Sequence, residues 1–389
     1  MQVDVIVVGG GPAGSAAAYD LAEKGFKVVI LEKTEFPRFK PCAGGVTPKA
    51  VNRLRYSIAP VVKRTSNAMW VGYGTKKEAG LMTSQNVPVI ALTVRTELDD
   101  FCLKQTLNKG VQFELIDKIT EIKQEPDSVT LLTKSGKSFS AKYLIGADGA
   151  HSRVRKLTED FTPDRTAVAI EGVIPFERLK KPGPGKIPNF TFDFGVAKKG
   201  YGWMFPKDNH VNVGVYTRRP DEYPLSKDLL RQYCRERLGT DDIDHMVGFP
   251  LGTGGEYYQP TLERVFLVGD AGGMCEPLLG EGIHNAIKSG QAAAEAIILA
   301  EDKKESALEH FRITYEAVRK DVYNCRRVAR WFYGGLVVSY QVMSRYPVKT
   351  LAMNGFAAGL TVTECKHNLE RWQLYPETEL AQTFVEYGK

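Results

Sequence analysis

Near its N-terminus the chain reads Val3-Asp4-Val5-Ile6-Val7-Val8-Gly9-Gly10-Gly11-Pro12-Ala13-Gly14, and a second apolar run ends at Glu32. No other feature constrains the fold as much. Val3 to Val8 read as a buried strand, Ser15 to Lys24 as a helix and Phe26 to Leu31 as a second strand. Gly9, Gly11 and Gly14 fall on G-x-G-x-x-G in the turn between strand and helix. Glycine there lets the backbone turn tightly, approach a pyrophosphate and pack the helix closely on the strand. The helix N-terminus then faces the phosphate charge. Glu32 lies about 20 residues on, where a carboxylate can take a ribose hydroxyl. A bare glycine spacing would also suit a chance turn. Strand, helix, second strand and acid in register imply a dinucleotide site.

A chain of 389 residues exceeds the size at which one core usually stops growing, so two packed domains are expected. The net charge of +6 comes from 52 basic and 46 acidic residues and is diffuse. It gives no nucleic-acid surface, and an anionic cofactor or a membrane surface accounts for it as easily. Cys42, Cys102, Cys234, Cys275, Cys325 and Cys365 form no C-x-x-C, so no metal site and no redox pair is expected. Their scatter suits a reducing cytoplasm. The N-terminus starts in a strand carrying Asp4, without a basic signal region. No 18-residue uncharged apolar run is present, so no spanning helix is expected.

After the first strand–helix–strand unit comes a loop, 36–45, too rich in breakers for regular structure. Thr47 to Leu54 fit a short helix, and Arg95 to Leu107 a longer one with Thr96 as its N-cap. Strand-like runs follow at Gln112–Ile116, Ser128–Thr133 and Ser138–Leu144, the last two joined by a turn at 134–137. From about 165 to 258 alternating runs, among them Ala167–Ile174, Asn189–Phe194 and Asn212–Tyr216, suggest an antiparallel sheet, with a loop at Pro182–Gly185. Val265–Val268 reads as a buried strand, Glu281 to Ala300 as a long helix, and the last 90 residues as mainly helical.

Two further runs join the glycine turn: Gly146-Ala147-Asp148-Gly149-Ala150-His151-Ser152 and Val268-Gly269-Asp270-Ala271. The three, in this order, resemble the para-hydroxybenzoate hydroxylase-like flavoproteins, from residue 1 to about 300. The resemblance implies an α/β chain with a Rossmann-like FAD-binding domain, an inserted antiparallel β-sheet substrate domain and a helical C-terminal region. The expected boundaries are 1–70, 90–160 and 260–300 for the discontinuous FAD-binding domain, 70–90 and 161–259 for the substrate domain, and 301–389 for the helical region. FAD is the expected cofactor. Gly9, Gly11, Ala13, Gly14, Glu32, Lys33 and Arg38 would hold its adenosine end. Arg95, Asp148 and Gly149 would contact it, and Gly269 and Asp270 would meet the ribityl chain. Gly280, Gly282 and Ile283 open a helix whose N–H groups favour negative charge at the flavin N1/O2 edge. The plainer readings are a helix cap for Asp270, a turn residue for Asp148 and a surface residue for Arg95.

The loop Phe36-Pro37-Arg38-Phe39-Lys40-Pro41-Cys42-Ala43-Gly44-Gly45 is similar to the cysteine loop of the geranylgeranyl reductases. Gly200-Tyr201-Gly202-Trp203-Met204-Phe205-Pro206-Lys207 is similar to their Y-x-W-x-F-P-K signature. Ala43 stands where that family usually has glycine. The resemblance implies saturation of isolated C=C bonds in a prenyl chain by reduced FAD. Cys42, Tyr201 and Trp203 are then the catalytic candidates, with Cys42 as proton donor or steric limit, and Cys42, Ala43 and Gly44 lie against the cofactor. Tyr201, Trp203, Phe205 and His284 are the substrate-binding candidates. The alternatives are aromatic core packing for the first three, a structural histidine for His284 and a small buried hydrophobe for Cys42. With one G-x-G-x-x-G, the electron donor is NAD(P)H bound transiently or a ferredoxin-like carrier. Rival readings are an aromatic monooxygenase, a flavin-dependent halogenase and a non-enzymatic electron carrier or membrane-binding module.

Trp331 to Ser344 and Leu351 to Thr363 carry no charge. Arg326, Arg327 and Arg330 precede the first run, and Arg345 and Lys349 separate the two. This suits a cytoplasmic protein with a peripheral membrane contact that admits a lipid substrate. The alternative is a pair of core helices closing the substrate cavity.

Overall fold

The computed structural model describes residues 2–75, 77–82, 88–163, 166–181, 188–346 and 348–367. Two compact units emerge: 1–38, 96–166 and 251–323 form the first, and 39–95, 167–250 and 324–389 the second. This division departs from the expected boundaries. Residues 39–70 fall in the second unit because Gly45–Val46 and Val62–Ser66 pair with Ile90–Thr93 in a small sheet of their own. Gly45–Val46 also places a short strand at the end of the loop expected to be irregular. The C-terminal region is not separate: it divides between the units at Tyr323.

In the first unit the strands run in the order Gln112–Leu115, Val28–Glu32, Gln2–Val8, Ser138–Gly146, Val129–Thr133 and Ile119–Gln124, with Val265–Leu267 also paired to Ser138–Gly146. The central pairings are parallel, with Val5 between Val28 and Tyr143. Val5, Ile6 and Val7 are fully buried, as a strand covered on both faces requires. Helix Pro12–Glu23 packs against helix Ile283–Lys303. Gly290 allows that approach, since a Cβ there would lie 2.2 Å from the Ala13 carbonyl oxygen. Strand Ile119–Gln124 escapes sequence reading because its residues are mostly polar and exposed. Helix Arg95–Leu107 begins at Arg95, so Thr96 lies in its first turn and is not its N-cap.

In the second unit a seven-stranded sheet runs in the order Asp244–Gly252, Thr166–Pro175, His210–Thr217, Gly200–Pro206, Thr191–Phe194, Ala68–Tyr73 and Lys77–Met82. One pairing corrects the all-antiparallel expectation: Thr191–Phe194 runs parallel to Ala68–Tyr73. These strands come from distant segments, so no hairpin dictates their direction. Helix Lys227–Leu238 covers one sheet face. It is capped by Ser226 Oγ on the Leu229 N–H at 3.1 Å and ends at Gly239 with φ 71°. Gly202 leaves room for it, as a Cβ there would meet the Tyr233 ring at 2.8 Å. The other face carries the aromatic residues.

Helices Leu336–Met343, Val348–Ala357 and Val362–His367 follow the long helix Ala307–Gly334. The uncharged run from Trp331 is broken at Gly334-Gly335, a pair with low helix propensity. The expected Pro182–Gly185 loop and the chain beyond His367 lie outside the described residues. No described helix is long and apolar enough to cross a membrane.

Candidate functional site

The glycine turn of the first unit is built as a cradle. Gly9 has φ 102°, and a Cβ on it would fall 2.5 Å from the Ala147 carbonyl oxygen. A Cβ on Gly14 would fall 1.9 Å from the Gly9 carbonyl oxygen. Gly11 is the N-cap of helix Pro12–Glu23, and neither a capping side chain nor a first-turn acid meets that helix end. Its N–H groups and positive dipole end are left for a ligand. Beside it, buried Glu32 accepts from the Gly10 N–H at 3.0 Å and the Lys33 N–H at 2.9 Å. Arg38 Nε lies 3.7 Å from Glu32, its Nη1 3.5 Å from Asp99, and its guanidinium 4.6 Å from the Phe36 ring centroid. Ala13 reaches the third motif, its Cβ 3.1 Å from where a Cβ on Gly269 would stand. The uncapped helix start, the space kept by glycine and the buried carboxylate fit the adenosine diphosphate half of FAD.

Arg155, a residue the sequence reading did not single out, joins the second and third motifs. Its guanidinium donates to the carbonyls of Ala150 (2.7 Å), Ala271 (2.6 Å) and Asp270 (3.3 Å). Its signal is faint: one more arginine after a motif that ends at Ser152. Asp148 accepts from Ser152 Oγ at 2.5 Å and from the N–H groups of Arg153 (2.6 Å) and Val154 (3.1 Å), so its carboxylate caps helix Arg153–Thr158. Burial pushes its carboxyl up against these bonds. Gly149, with φ 82°, faces open space. Asp270 lies in the turn Gly269–Gly272 and accepts weakly from the Gly252 N–H at 3.3 Å.

The loop before helix Ile283–Lys303 is organised by Glu276, also unassigned from sequence. Its buried carboxylate accepts from the N–H groups of Leu278 (2.6 Å), Leu279 (2.8 Å) and Glu281 (3.1 Å). Burial pushes this carboxyl up, although those bonds favour the anion. Gly280 takes φ 71°. The helix starts two residues later than expected, at Ile283, so Glu281 lies outside it. Gly282 is its N-cap, and no side-chain cap or first-turn acid neutralises its positive end. That end fits an electron-rich flavin edge. His284 is its second residue and is buried.

In the second unit, Cys42, Ala43 and Gly44 are each gripped from a different place in the chain. Glu171 Oε1 accepts from the Cys42 N–H at 2.9 Å. Lys207 Nζ donates to the Ala43 carbonyl at 2.8 Å. The Thr93 N–H and Oγ donate to the Gly44 carbonyl at 2.8 and 3.0 Å. The Gly44 N–H points at Cys42 Sγ, 3.4 Å away. Trp203 Nε1 donates to Asn212 Oδ1 at 2.7 Å, and Asn212 Nδ2 to Glu171 Oε2 at 3.4 Å. A polar chain thus runs from the indole to the cysteine backbone. Gly214 makes room for it, since a Cβ there would enter the Trp203 ring at 2.1 Å. Burial raises Glu171 to about 7 and lowers Lys207 to about 7. Arg95, also buried, acts on Glu171 through its charge. Glu171 had a legible signal, the lone acid inside the apolar run 167–174.

Tyr201 and Phe205 share the Trp203 face but are packed among other rings. Tyr201 lies 5.1 Å from Phe192 and 5.0 Å from Tyr216, and Phe205 lies 4.7 Å from Phe190, centroid to centroid. Trp203 is tied by hydrogen bonds to the cysteine loop through Asn212 and Glu171. A cavity of about 480 Å³ lined by Tyr73, Val196, Leu229, Tyr233 and Glu236 shares no residue with this cluster.

Residues 2–326 match the family model described as an FAD binding domain. The chain belongs to this FAD-binding family. It is a flavoprotein of the para-hydroxybenzoate hydroxylase-like superfamily, and FAD is its cofactor. An FAD-dependent oxidoreductase is therefore the class of enzyme it represents. An uncharacterized protein of Methanosarcina barkeri is 35% identical over 92% of this chain and 91% of its own length. A menaquinone reductase of Mycolicibacterium smegmatis is 32% identical over 76% of each chain. A geranylgeranyl diphosphate reductase of Rhodobacter capsulatus is 28% identical over 76% of this chain and 75% of its own. Among solved structures, a geranylgeranyl bacteriochlorophyll reductase-like protein of Thermoplasma acidophilum shares the fold, with a TM-score of 0.75, 18% identity and 99% coverage of both chains.

Proposed function

We propose that this flavoenzyme saturates C=C bonds of an isoprenoid chain, on a geranylgeranyl group or another prenyl lipid. The observation that carries the reading is the Cys42 loop, bound by Glu171 on the sheet face that bears Trp203. An isolated alkene has no carbonyl to activate it, so its reduction needs a hydride at one carbon and a proton at the other. Both must be delivered in a dry, apolar place. FAD, once reduced, supplies the hydride. Cys42 gives the proton, leaving a thiolate that is reprotonated before the next turnover. Trp203 and Tyr201 form the wall along which the chain lies, with Phe205 and His284 as further substrate contacts.

The glycine turn with Glu32, Lys33 and Arg38 holds the adenosine end of the cofactor. Asp270 and the Gly280–Ile283 helix start hold its ribityl and pyrimidine parts, with Arg95, Asp148 and Gly149 supporting. NAD(P)H or a ferredoxin-like carrier reduces it. The names of the geranylgeranyl diphosphate reductase and the menaquinone reductase support this reading, since a menaquinone also carries an isoprenoid tail.

A peripheral contact with an anionic bilayer surface belongs to the same proposal. Trp331, Val337, Val338, Val342 and Tyr346 are exposed, whereas Phe332 and Tyr340 of the same segment are buried against Phe194 and Tyr73. No acid occurs from 322 to 363, while Arg327, Arg330 and Arg345 are exposed. Apolar side chains among basic ones match a negatively charged lipid interface. The segment is packed on one side and exposed on the other, which leaves its exposed side for the proposed contact.

The test is anaerobic. The reduced holoenzyme mixed with a geranylgeranyl lipid reoxidises and yields a product heavier by two hydrogens per bond. No mass change with any prenyl substrate defeats the reading, and substrate-stimulated oxygen consumption with hydroxylated product assigns a monooxygenase instead.

A further inference from the structure

Lys207 is 2% exposed and forms no ion pair among the described residues. Its ammonium donates one hydrogen bond, to the Ala43 carbonyl, and lies 5.7 Å from the Phe205 ring centroid. Burying a cation this way is costly, and such groups cluster where chemistry needs them. Glu171 is 3% exposed and spends one oxygen on the Cys42 N–H, the residue before Ala43. Two opposite charges, one within strand Thr166–Pro175 and one just past the end of strand Gly200–Pro206, therefore grip adjacent residues of the cysteine loop. Thr93 grips the next residue without a charge. Ordinary packing would not require charged groups at the first two positions and a hydroxyl at the third.

We propose that Lys207 and Glu171 are paired positioning residues that hold the Cys42–Gly44 loop and, through their opposite charges, decide whether the Cys42 thiol keeps its proton. The proposal rests on the reading of Cys42 as proton donor only for its consequence in turnover. The charged and titratable groups facing the pair are Cys42, Arg95 and Asp208. Cys42 and Asp208 act on Lys207, and Arg95 on Glu171. Burial brings both members to about 7, so each gains or loses its charge near neutrality. After proton transfer the thiolate is stabilised by the nearby ammonium and opposed by the carboxylate.

The experiment reads the thiol directly. FAD-loaded protein is alkylated with iodoacetamide from acid to alkaline pH, and the rate at the Cys42 peptide is followed by mass spectrometry. Lys207→Met should move the pH midpoint of Cys42 alkylation up and Glu171→Gln should move it down, each by about one pH unit, the usual scale of a close charge. Lys207→Arg, which stays cationic at every pH used, should hold the midpoint at or below the wild-type value. Thr93→Val, which weakens the grip without changing a charge, should leave the midpoint in place. Flavin absorbance confirms that each variant is folded, and Glu171→Met, which also removes the charge, replaces Glu171→Gln if the latter does not load. Midpoints that do not move, move in the same direction for both charges, or move equally in Thr93→Val overturn the proposal. If they move as expected while Cys42→Ala still reduces the prenyl lipid at the wild-type rate, the electrostatic pair stands and the proton-donor reading falls.

Discussion

The Cys42 N–H donates to Glu171 Oε1 at 2.9 Å across 129 positions of sequence. The bond holds the loop that carries the Cys42 thiol to the strand Thr166–Pro175, and Asn212 continues the connection to Trp203. Trp203→Phe keeps the aromatic face but removes the indole donor. It leaves the buried Asn212 carbonyl short of a partner, at a cost of about 1–3 kcal/mol. Thermal unfolding should show that loss, and turnover should fall more than substrate affinity because the loop is released. A variant with unchanged Tm and turnover would show that the connection carries nothing.

The glycine turn separates two kinds of substitution. Gly14→Ala sets a Cβ 1.9 Å from backbone, so the helix must move and the protein should fail to fold or to retain flavin. Gly11→Ala meets nothing closer than Arg38 Nη2 at 3.5 Å, so the fold should persist while the extra methyl group blocks the pyrophosphate. Circular dichroism and flavin absorbance distinguish the two. A Gly11→Ala protein that loads FAD normally would place the pyrophosphate elsewhere.

Glu276→Ala should weaken FAD binding without unfolding the first unit. The substitution removes the acceptor of three N–H groups that shape the Leu278–Gly282 loop. Loss of one charge-assisted bond costs about 1.5–3 kcal/mol, or roughly 10- to 100-fold in affinity if the loop disorders. Flavin titration of the apoprotein measures it, and wild-type affinity would show that the loop holds its shape without Glu276.

Stability should depend on pH through the buried pair, in two windows of opposite slope. Glu171 is raised from 4.5 to about 7, so the folded state favours its protonated form. Its contribution is full below pH 4.5 and is lost as pH rises to about 7. Lys207 is lowered from 10.5 to about 7, so its contribution is full above pH 10.5 and is lost as pH falls to about 7. Relative to Glu171→Gln, wild type should lose Tm between pH 4.5 and 7, and relative to Lys207→Met it should gain Tm between pH 7 and 10.5. Parallel Tm curves would show that neither group changes its affinity for protons on folding.

The exposed apolar segment should bind vesicles that contain phosphatidylglycerol more strongly than purely phosphatidylcholine ones. Val338→Asp, at a position 63% exposed, adds an acid to a stretch without any and should reduce cosedimentation several-fold while leaving flavin content unchanged. Equal binding to both vesicle types, or none, would assign the patch to another partner.

Much of this architecture is legible before any coordinates. The turn from Gly9 to Gly14 announces itself because clashes with Ala147 and Gly9 exclude every other residue at two of its positions. The alternation of Tyr201, Trp203 and Phe205 announces a strand face because successive side chains must point to opposite sides. What sequence could not show is which long-range partners those residues find. Asp148, expected at the cofactor, also holds the start of the next helix, and Tyr201 and Phe205, expected at the substrate, also pack among other rings.

The sequence by itself therefore determined the strand–helix–strand unit, the FAD family and the sheet faces, since local sterics and period-two burial set them. Tertiary structure alone decided the parallel pairing of Thr191–Phe194 with Ala68–Tyr73, the gathering of Cys42 with Glu171 and Lys207, and the role of Glu276. Such contacts join residues with no common spacing. The charge state of a buried group depends on the solvent it loses and the neighbours it gains, and neither exists until the chain is folded.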